Sequence, residues 1–210
     1  MEEYSEKQLS ILKVAEQLFA DQGFHGTSVR DIAQVADVNI AMISYYFGSK
    51  DKLLETIFRY RMEASKKFIH ELVENDTMEP LEKINSLIDR FVNKMLGEQY
   101  FQCIISREQL NRQQTPVREL IWELKREMLG LMQPIVTHAQ EAGIFPKDID
   151  VEMLMITLFG TIHQVIPAQR IIRSNDSLKE MNEEEYTEYL KKRVSIHLKK
   201  LFKAILTHEF

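Results

Sequence analysis

SVRDIAQVADVNIAMISYYFGSK, residues 28–50, is the stretch that decides the fold of this chain. Ser28 followed three residues later by Asp31 is the S-x-x-D pattern of a capping box, which predicts the start of a short helix. Residues 37–39 interrupt that helix, and Asn39 is a favourable N-cap for a second one, which Gly48 ends. Two short helices joined by such a turn predict a helix-turn-helix, whose second helix enters the DNA major groove.

The side chains in and around this motif suit contacts with DNA. Ile40 and Ala41 stand at the start of the second helix, where they can meet a thymine methyl group. Hydroxyl groups further along that helix can bind phosphate oxygens, and Lys50 stands at a helix N-terminus, which attracts phosphate. Thr27 and Ser28 are equally well explained as phosphate contacts or as capping residues alone. The predicted DNA contacts are Thr27, Ser28, Arg30, Asn39, Ile40, Ala41, Ser44, Tyr45, Tyr46 and Lys50.

Three segments follow one another in a recognisable order: ILKVAEQLFADQGF, then T-S-x-x-D-I-A, then V-N-x-A-x-I-x-Y-Y-F-G-S-K-D-K-L. Together they resemble the DNA-binding domain of the TetR family of bacterial transcriptional repressors over roughly residues 8–60. This chain has Asp37 where the family's turn usually carries glycine. Aspartate tolerates a left-handed backbone better than most residues, so we expect the turn to form with slight strain.

The resemblance implies an all-α protein with a three-helix N-terminal helix-turn-helix domain and a larger C-terminal domain for ligand binding and dimerisation. The implied boundaries are 1–48 for the DNA-binding domain, 49–73 for a connecting helix and 74–210 for the C-terminal domain. Helical spacing of apolar residues predicts further helices throughout, with a polar loop over 174–182 and a last helix from about 183. The implied partners are a palindromic double-stranded DNA operator, an unidentified small-molecule effector and a second copy of the chain.

Charge does not favour DNA binding by itself. The formal net charge is −5, and residues 1–60 contain six Lys or Arg against nine Asp or Glu. A DNA-binding domain is usually basic. The prediction of DNA binding therefore depends on the positions of the basic residues. Arg30, Lys50 and Lys52 lie in or beside the motif. We expect modest affinity and few phosphate contacts.

Composition and length predict a cytoplasmic protein of one or two domains. The chain has 210 residues, no apolar run that approaches the roughly 20 residues of a membrane span, and an acidic N-terminus without a signal-peptide pattern. The single cysteine, Cys103, fits a reducing compartment. It is interpreted as a small buried hydrophobe, with a redox-sensing role as the alternative. No catalytic pair, metal-ligand cluster or cofactor motif is present in the sequence, so neither an enzyme nor a metalloprotein is expected.

The C-terminal region is rich in methionine and aromatic side chains, which adapt to varied ligands but also fill cores. His163 and Gln164 interrupt an otherwise apolar run, and a ligand, a neighbouring helix or a partner subunit are equal candidates to bind them. The predicted ligand-pocket residues are Phe91, Met95, Phe101, Cys103, Trp122, Met128, Met132, Phe159, His163 and Gln164.

By the resemblance, the last two long helices build a four-helix dimer interface. The apolar stripe of the last helix supplies the predicted contacts, which are Leu190, Val194, Leu198, Leu201, Phe202 and Ile205. The expected function is a homodimeric repressor that a small ligand releases from its operator. The alternative is a helical protein-interaction module whose helix-turn-helix does not bind DNA.

Overall fold

The computed structural model describes residues 4–110, 116–174 and 176–207. These residues contain no strand and form ten α-helices, which confirms the predicted all-α class. The helices are α1 (Glu6–Gln22), α2 (Val29–Val35), α3 (Ile40–Phe47), α4 (Lys50–Val73), α5 (Pro80–Gly97), α6 (Gln99–Leu110), α7 (Pro116–Glu141), α8 (Val151–Ile172), α9 (Asp176–Lys179) and α10 (Glu183–Thr207).

Local capping explains why several helices begin where they do. Ser5 and Ser28 each accept a hydrogen bond from the backbone N–H three residues on, and both form complete capping boxes. Asn39 caps α3, as the sequence predicted, and Asp150 caps α8. One expectation is wrong: the polar stretch after α8 is not all loop, because it contains the short helix α9.

The chain forms two compact units, each made of two segments. The N-terminal unit comprises Met1–Phe68 and Tyr100–Arg126, and the C-terminal unit comprises Ile69–Gln99 and Glu127–Phe210. The boundary between the units falls inside α4 and again inside α7. The compact units therefore do not coincide with the domains expected from the sequence, because residues 100–110 and 116–126 belong to the unit that contains the helix-turn-helix.

The core of the N-terminal unit combines α1–α4 with α6 and the first part of α7. The Phe101 ring of α6 meets the Phe58 ring of α4 edge-on, with the centroids 4.8 Å apart. Ile104 and Ile105 of α6 and Ile121 of α7 are buried in the same cluster. Burial of large apolar side chains is the main stabilising contribution to such a core. The DNA-binding motif is thus stabilised by side chains more than fifty residues further along the chain.

The C-terminal unit is built around the packing of α10 against α5, with α8 alongside α5. Phe91 of α5 and Phe159 of α8 make an edge-to-face ring contact at 5.1 Å. Asp89 of α5 accepts hydrogen bonds from Ser195 and Lys199 of α10. These contacts join the three helices within one chain.

Most of the predicted dimer contacts are wrong. Leu190, Val194, Leu198 and Phe202 are between 0% and 5% exposed in a single chain, because the apolar stripe of α10 faces the core that contains α5. Side chains already buried in one protomer cannot contact a second. Leu201 and Ile205, also predicted to lie in the dimer interface, are half-buried.

The opposite situation holds for α8, which keeps a row of side chains in solvent. Met153, Ile156 and Ile171 are 53%, 62% and 78% exposed, and Gly160 and Gln164 are also exposed. By its length and by an 18-residue stretch of mean hydropathy 1.4, α8 alone of the described helices is suited to cross a membrane, a test that core helices of soluble proteins also pass.

Candidate DNA-binding surface

The turn between α2 and α3 adopts the conformation expected for a helix-turn-helix. Asp37 has φ +51°, so it occupies the left-handed region in which the family usually places glycine. The N–H of Val38 then donates to the carbonyl of Ala33 at 3.0 Å. Ile32 and Ile43, one on each helix, are almost completely buried. The sequence prediction of a strained but formed turn is therefore confirmed.

Helix α3 buries one face and leaves the other in solvent. Ile43 and Phe47 are 1% and 6% exposed and hold the helix against the core. On the other face Ile40 is 46% exposed and Tyr45 is 84% exposed, although large hydrophobic side chains gain free energy from burial. Ala41 and Ser44 are exposed as well. The outward face thus carries Ile40 and Ala41, the two predicted base contacts, with the predicted phosphate contacts Ser44 and Tyr45, while Tyr46 is half-buried.

Ser28 and Asp31 hold the first turn of α2. The Ser28 hydroxyl donates to Asp31 Oδ2 at 2.6 Å and accepts from the Asp31 N–H at 3.1 Å, while the Ser28 N–H donates to the same carboxylate at 2.9 Å. The hydrogen bonds from the Ser28 side chain, then from its backbone, lower the pKa of Asp31. Ser28 and Arg30 remain exposed at this edge of the motif.

Thr27 is not available to DNA through its hydroxyl. The residue is 1% exposed, and its hydroxyl lies 2.9 Å from the carbonyl of Gly23 and 3.1 Å from that of Leu18. A buried hydroxyl needs such a partner. The predicted phosphate contact of this side chain is therefore wrong, and its role is to close the loop between α1 and α2.

Lys50 has a structural role that the sequence did not reveal. Its ammonium group donates to the carbonyls of Phe24 and Thr27 at 2.8 and 2.9 Å and lies 4.3 Å from the centroid of the Phe24 ring. Two of its three N–H groups are thus bound inside the protein. Lys50 fastens the start of α4 to the loop after α1, so a phosphate contact can use only the remaining N–H and stays a prediction.

An internal ion pair changes the charge balance of the motif. Glu16 of α1 is 5% exposed and accepts two hydrogen bonds of 2.8 Å from the guanidinium of Arg61 on α4. Glu16, one of the nine acidic residues in 1–60, is therefore neutralised by Arg61, which lies just outside that range. Its place between Leu12 and Phe19 on the apolar face of α1 was a signal in the sequence.

The structure divides the predicted ligand-pocket residues between the two units. Phe101 is buried in the core of the N-terminal unit, and the half-buried Cys103 packs against that core with its thiol 3.6 Å from the carbonyl of Ala20. Trp122, in the same unit, is 54% exposed. A single pocket lined by all ten residues therefore stays a prediction. The remaining residues belong to the C-terminal unit: Phe91, Met95, Met128 and Met132 are buried, Phe159 and His163 are half-buried, and Gln164 is exposed.

Comparison with known protein families covers both parts of the chain. A family model described as bacterial regulatory proteins of the tetR family matches residues 11–57. A second model, described as the C-terminal region of YsiA-like proteins, matches residues 58–192, which is more than half of the chain. The first match contains the whole helix-turn-helix described above.

Individual proteins give the same picture. The fatty acid metabolism regulator protein of Bacillus subtilis is 26% identical over 169 residues, which are 79% of this chain and 84% of that protein. The transcriptional repressor NicS of Pseudomonas putida is 28% identical over 141 residues, 67% of this chain and 66% of that repressor. The structure of FadR from Bacillus subtilis in complex with stearoyl-CoA has a TM-score of 0.67 at 21% identity, over 90% of this chain and 96% of that one. A helix-turn-helix with an exposed second helix, inside a chain matched along most of its length, establishes that this protein belongs to the TetR family of DNA-binding transcriptional regulators.

Proposed function

We propose that the protein is a cytoplasmic homodimeric repressor that binds a palindromic operator and is released from it by a small molecule. The outward face of α3 carries this proposal. Tyr45 is 84% exposed, so it contributes little to the stability of the core. Ile40 lies at the N-terminus of α3, where a reading helix contacts base edges. A surface of this kind is suited to apolar and hydrogen-bonding contacts with base edges in the major groove.

The second protomer is proposed to cover the exposed row on α8. Two-fold related half-sites require two reading helices about 34 Å apart, which one chain cannot supply. The row contains large apolar side chains in solvent, and contiguous patches of this kind mark interfaces. Gly160, in the middle of the row, allows a neighbouring helix to approach closely. Ile196, the exposed large hydrophobic residue of α10 at 45% exposure, extends the interface.

A long-chain acyl-coenzyme A is the effector that we propose. The Bacillus subtilis FadR structure holds stearoyl-CoA, and the relative from the same organism is named for fatty acid metabolism. In this chain, the C-terminal unit supplies the adaptable side chains that an acyl chain requires, including Phe91, Phe159, Met95 and Met132.

Operator binding is tested by a gel shift with the DNA upstream of the protein's own gene, at low and at moderate salt. We expect a specific complex that survives competition by unrelated DNA, with an affinity that falls as salt rises. Equal affinity for upstream and unrelated DNA, or no complex at low salt, would contradict the proposal and favour the protein-interaction module.

Effector binding is tested by adding stearoyl-CoA to the preformed operator complex, with coenzyme A alone and an acetyl thioester as matched controls. We expect the operator affinity to fall roughly 5- to 150-fold with the long acyl chain, the usual range of allosteric coupling. The short thioester should have little effect, because it lacks the apolar chain. An equal response to all three ligands would show that the acyl chain is not recognised.

A further inference from the structure

The C-terminal end of α1 is closed by side chains of α6. The last carbonyls of a helix have no partner within it and must find one elsewhere. The Phe19 carbonyl accepts from the N–H of Gly23, the Ala20 carbonyl accepts from the thiol of Cys103, and the Asp21 carbonyl accepts from Nη2 of Arg107 at 3.3 Å. The two donors on α6 are four residues apart, so they lie on one face of it.

Arg107 is the stronger of the two donors. A guanidinium beside a helix C-terminus interacts favourably with the negative end of the helix dipole. The thiol of Cys103 is a weak donor at 3.6 Å from the Ala20 carbonyl. A Cβ atom added to Gly23 would lie 3.4 Å from Nη1 of Arg107, so the guanidinium also lies against the first residue of the loop.

The loop from Gly23 to Thr27 continues this connection to the reading helix. Gly23, at φ +79°, turns the chain out of α1, and its carbonyl accepts from the buried Thr27 hydroxyl. The carbonyls of Phe24 and Thr27 then accept from Lys50, which begins α4 three residues after the end of α3. The loop is therefore held by α6 at one end and by the junction of α3 and α4 at the other.

Between these two attachments the loop is separated from α6 by a cleft of about 210 Å³. Loop residues such as His25 and Gly26 line one side, and Ile104 and Glu108 of α6 line the other. Close packing fixes side chains in place, whereas a cleft does not. Besides the packing of Phe24 on the Phe19 ring, the orientation of the loop against α6 thus depends on the hydrogen bonds at the end of α1.

We propose that Arg107 is a positioning residue for DNA recognition, which sets the reading helix through the end of α1, the loop and Lys50 without touching DNA itself. The inference rests on the operator binding proposed above. A shift of α6 would break the bonds to α1 and leave the reading helix free to change orientation.

The test compares Arg107→Ala and Arg107→Lys with Arg126→Ala, which removes another exposed arginine of the same unit. We expect Arg107→Ala to weaken operator binding between about two- and tenfold, the range that one hydrogen bond covers, with the salt slope unchanged. Arg107→Lys should keep part of the affinity that Arg107→Ala loses, and Arg126→Ala should bind the operator as tightly as the wild type. Amide exchange in Arg107→Ala should accelerate at residues 23–28 and remain unchanged in α10.

Three outcomes would overturn the proposal. Operator affinity equal to that of the wild type in Arg107→Ala would show that the bond positions nothing. A salt slope shallower by about one unit would make Arg107 a direct phosphate contact. Exchange accelerated throughout the chain would show a general loss of stability. If the wild-type protein itself fails to bind its operator, the proposed function fails, and that result is seen before any variant is compared.

Discussion

At the scale of single residues, two side chains of types that often bind phosphate instead bind backbone carbonyls of the protein. The Lys50 ammonium donates to the carbonyls of Phe24 and Thr27. The Thr27 hydroxyl donates to the carbonyls of Gly23 and Leu18. Phosphate contact is common for lysine and threonine at a DNA interface, so residue type alone pointed to that role. The exposed basic residues Arg30 and Lys52 are better candidates for phosphate contacts.

Replacing Lys50 and Arg30 by alanine should separate structure from phosphate binding. Lys50→Ala removes two charge-assisted hydrogen bonds from a half-buried site, so we expect a loss of about 2 kcal/mol in the free energy of unfolding. Arg30→Ala should leave stability unchanged and make the slope of log K against log salt shallower by about one unit. Denaturant unfolding and salt-dependent gel shifts measure the two quantities. Unchanged stability in Lys50→Ala would contradict the structural role.

The capping box of α2 makes a second prediction, on pH. The pKa of Asp31 is lowered below its ordinary value of 3.8, so the ionised carboxylate stabilises the folded state. That stabilisation is complete above the unfolded pKa and is lost as the pH falls through the lowered folded pKa. Melting temperatures of the wild type and of Asp31→Asn should therefore differ at pH 7 and converge as the pH falls below the ordinary carboxyl pKa of 3.8. A constant difference across this range would exclude the carboxylate as the cause.

At the scale of helices, α8 and α10 differ in exposure, although the resemblance placed both of them in the dimer interface. The apolar stripe of α10 is buried against its own chain, while α8, the more apolar helix, keeps Ile156 and Ile171 in solvent. An apolar face is stabilised by any apolar partner, from the same chain or from another. The interface proposed for the second protomer therefore lies mainly on α8.

Two glutamate substitutions distinguish these roles. Ile156→Glu places a charge in the proposed interface, so we expect folded monomers. Leu198→Glu places a charge in the core of one chain, at a residue that is 0% exposed, so we expect loss of the folded state. Sedimentation and circular dichroism read the two outcomes, with Lys147→Glu as an exposed control outside the row. If Leu198→Glu gives folded monomers, the dimer interface includes the apolar stripe of α10 and the proposal is contradicted.

The features that the sequence predicted correctly depend on interactions between residues close together in the chain. The caps at Ser28 and Asn39 and the left-handed Asp37 follow from interactions within a few residues, so they were predictable. The carbonyl partners of Lys50 lie 26 and 23 residues away, and the burial of Phe101 beside Phe58 spans more than forty. No local pattern encodes such pairings, because apolar or basic character does not specify a partner.

At the scale of the whole molecule, α4 crosses the boundary between the two units at Phe68 and Ile69. A signal that passes along this helix requires an unbroken helix at the boundary. Lys67→Gly weakens the helix there by about 1 kcal/mol. We expect it to reduce the effect of stearoyl-CoA on operator affinity, while binding of each ligand alone changes little. Glu63→Gly, one turn earlier and within one unit, is the matched control. An equal loss of coupling in both variants would refute a special role for the boundary.

The discontinuous N-terminal unit has a consequence for the order in which the protein folds. Its core needs Phe101, Ile104, Ile105, Val117 and Ile121, which are synthesised long after the helix-turn-helix. During translation, Phe58 and its neighbours therefore stay without part of their cover until residues near 126 have left the ribosome. A fragment that ends at residue 73 should bind a hydrophobic dye and melt below the intact chain, and a dye-free fragment with the full melting temperature would show that the motif folds alone. The helix-turn-helix of this regulator is therefore synthesised well before the core that stabilises it can be completed.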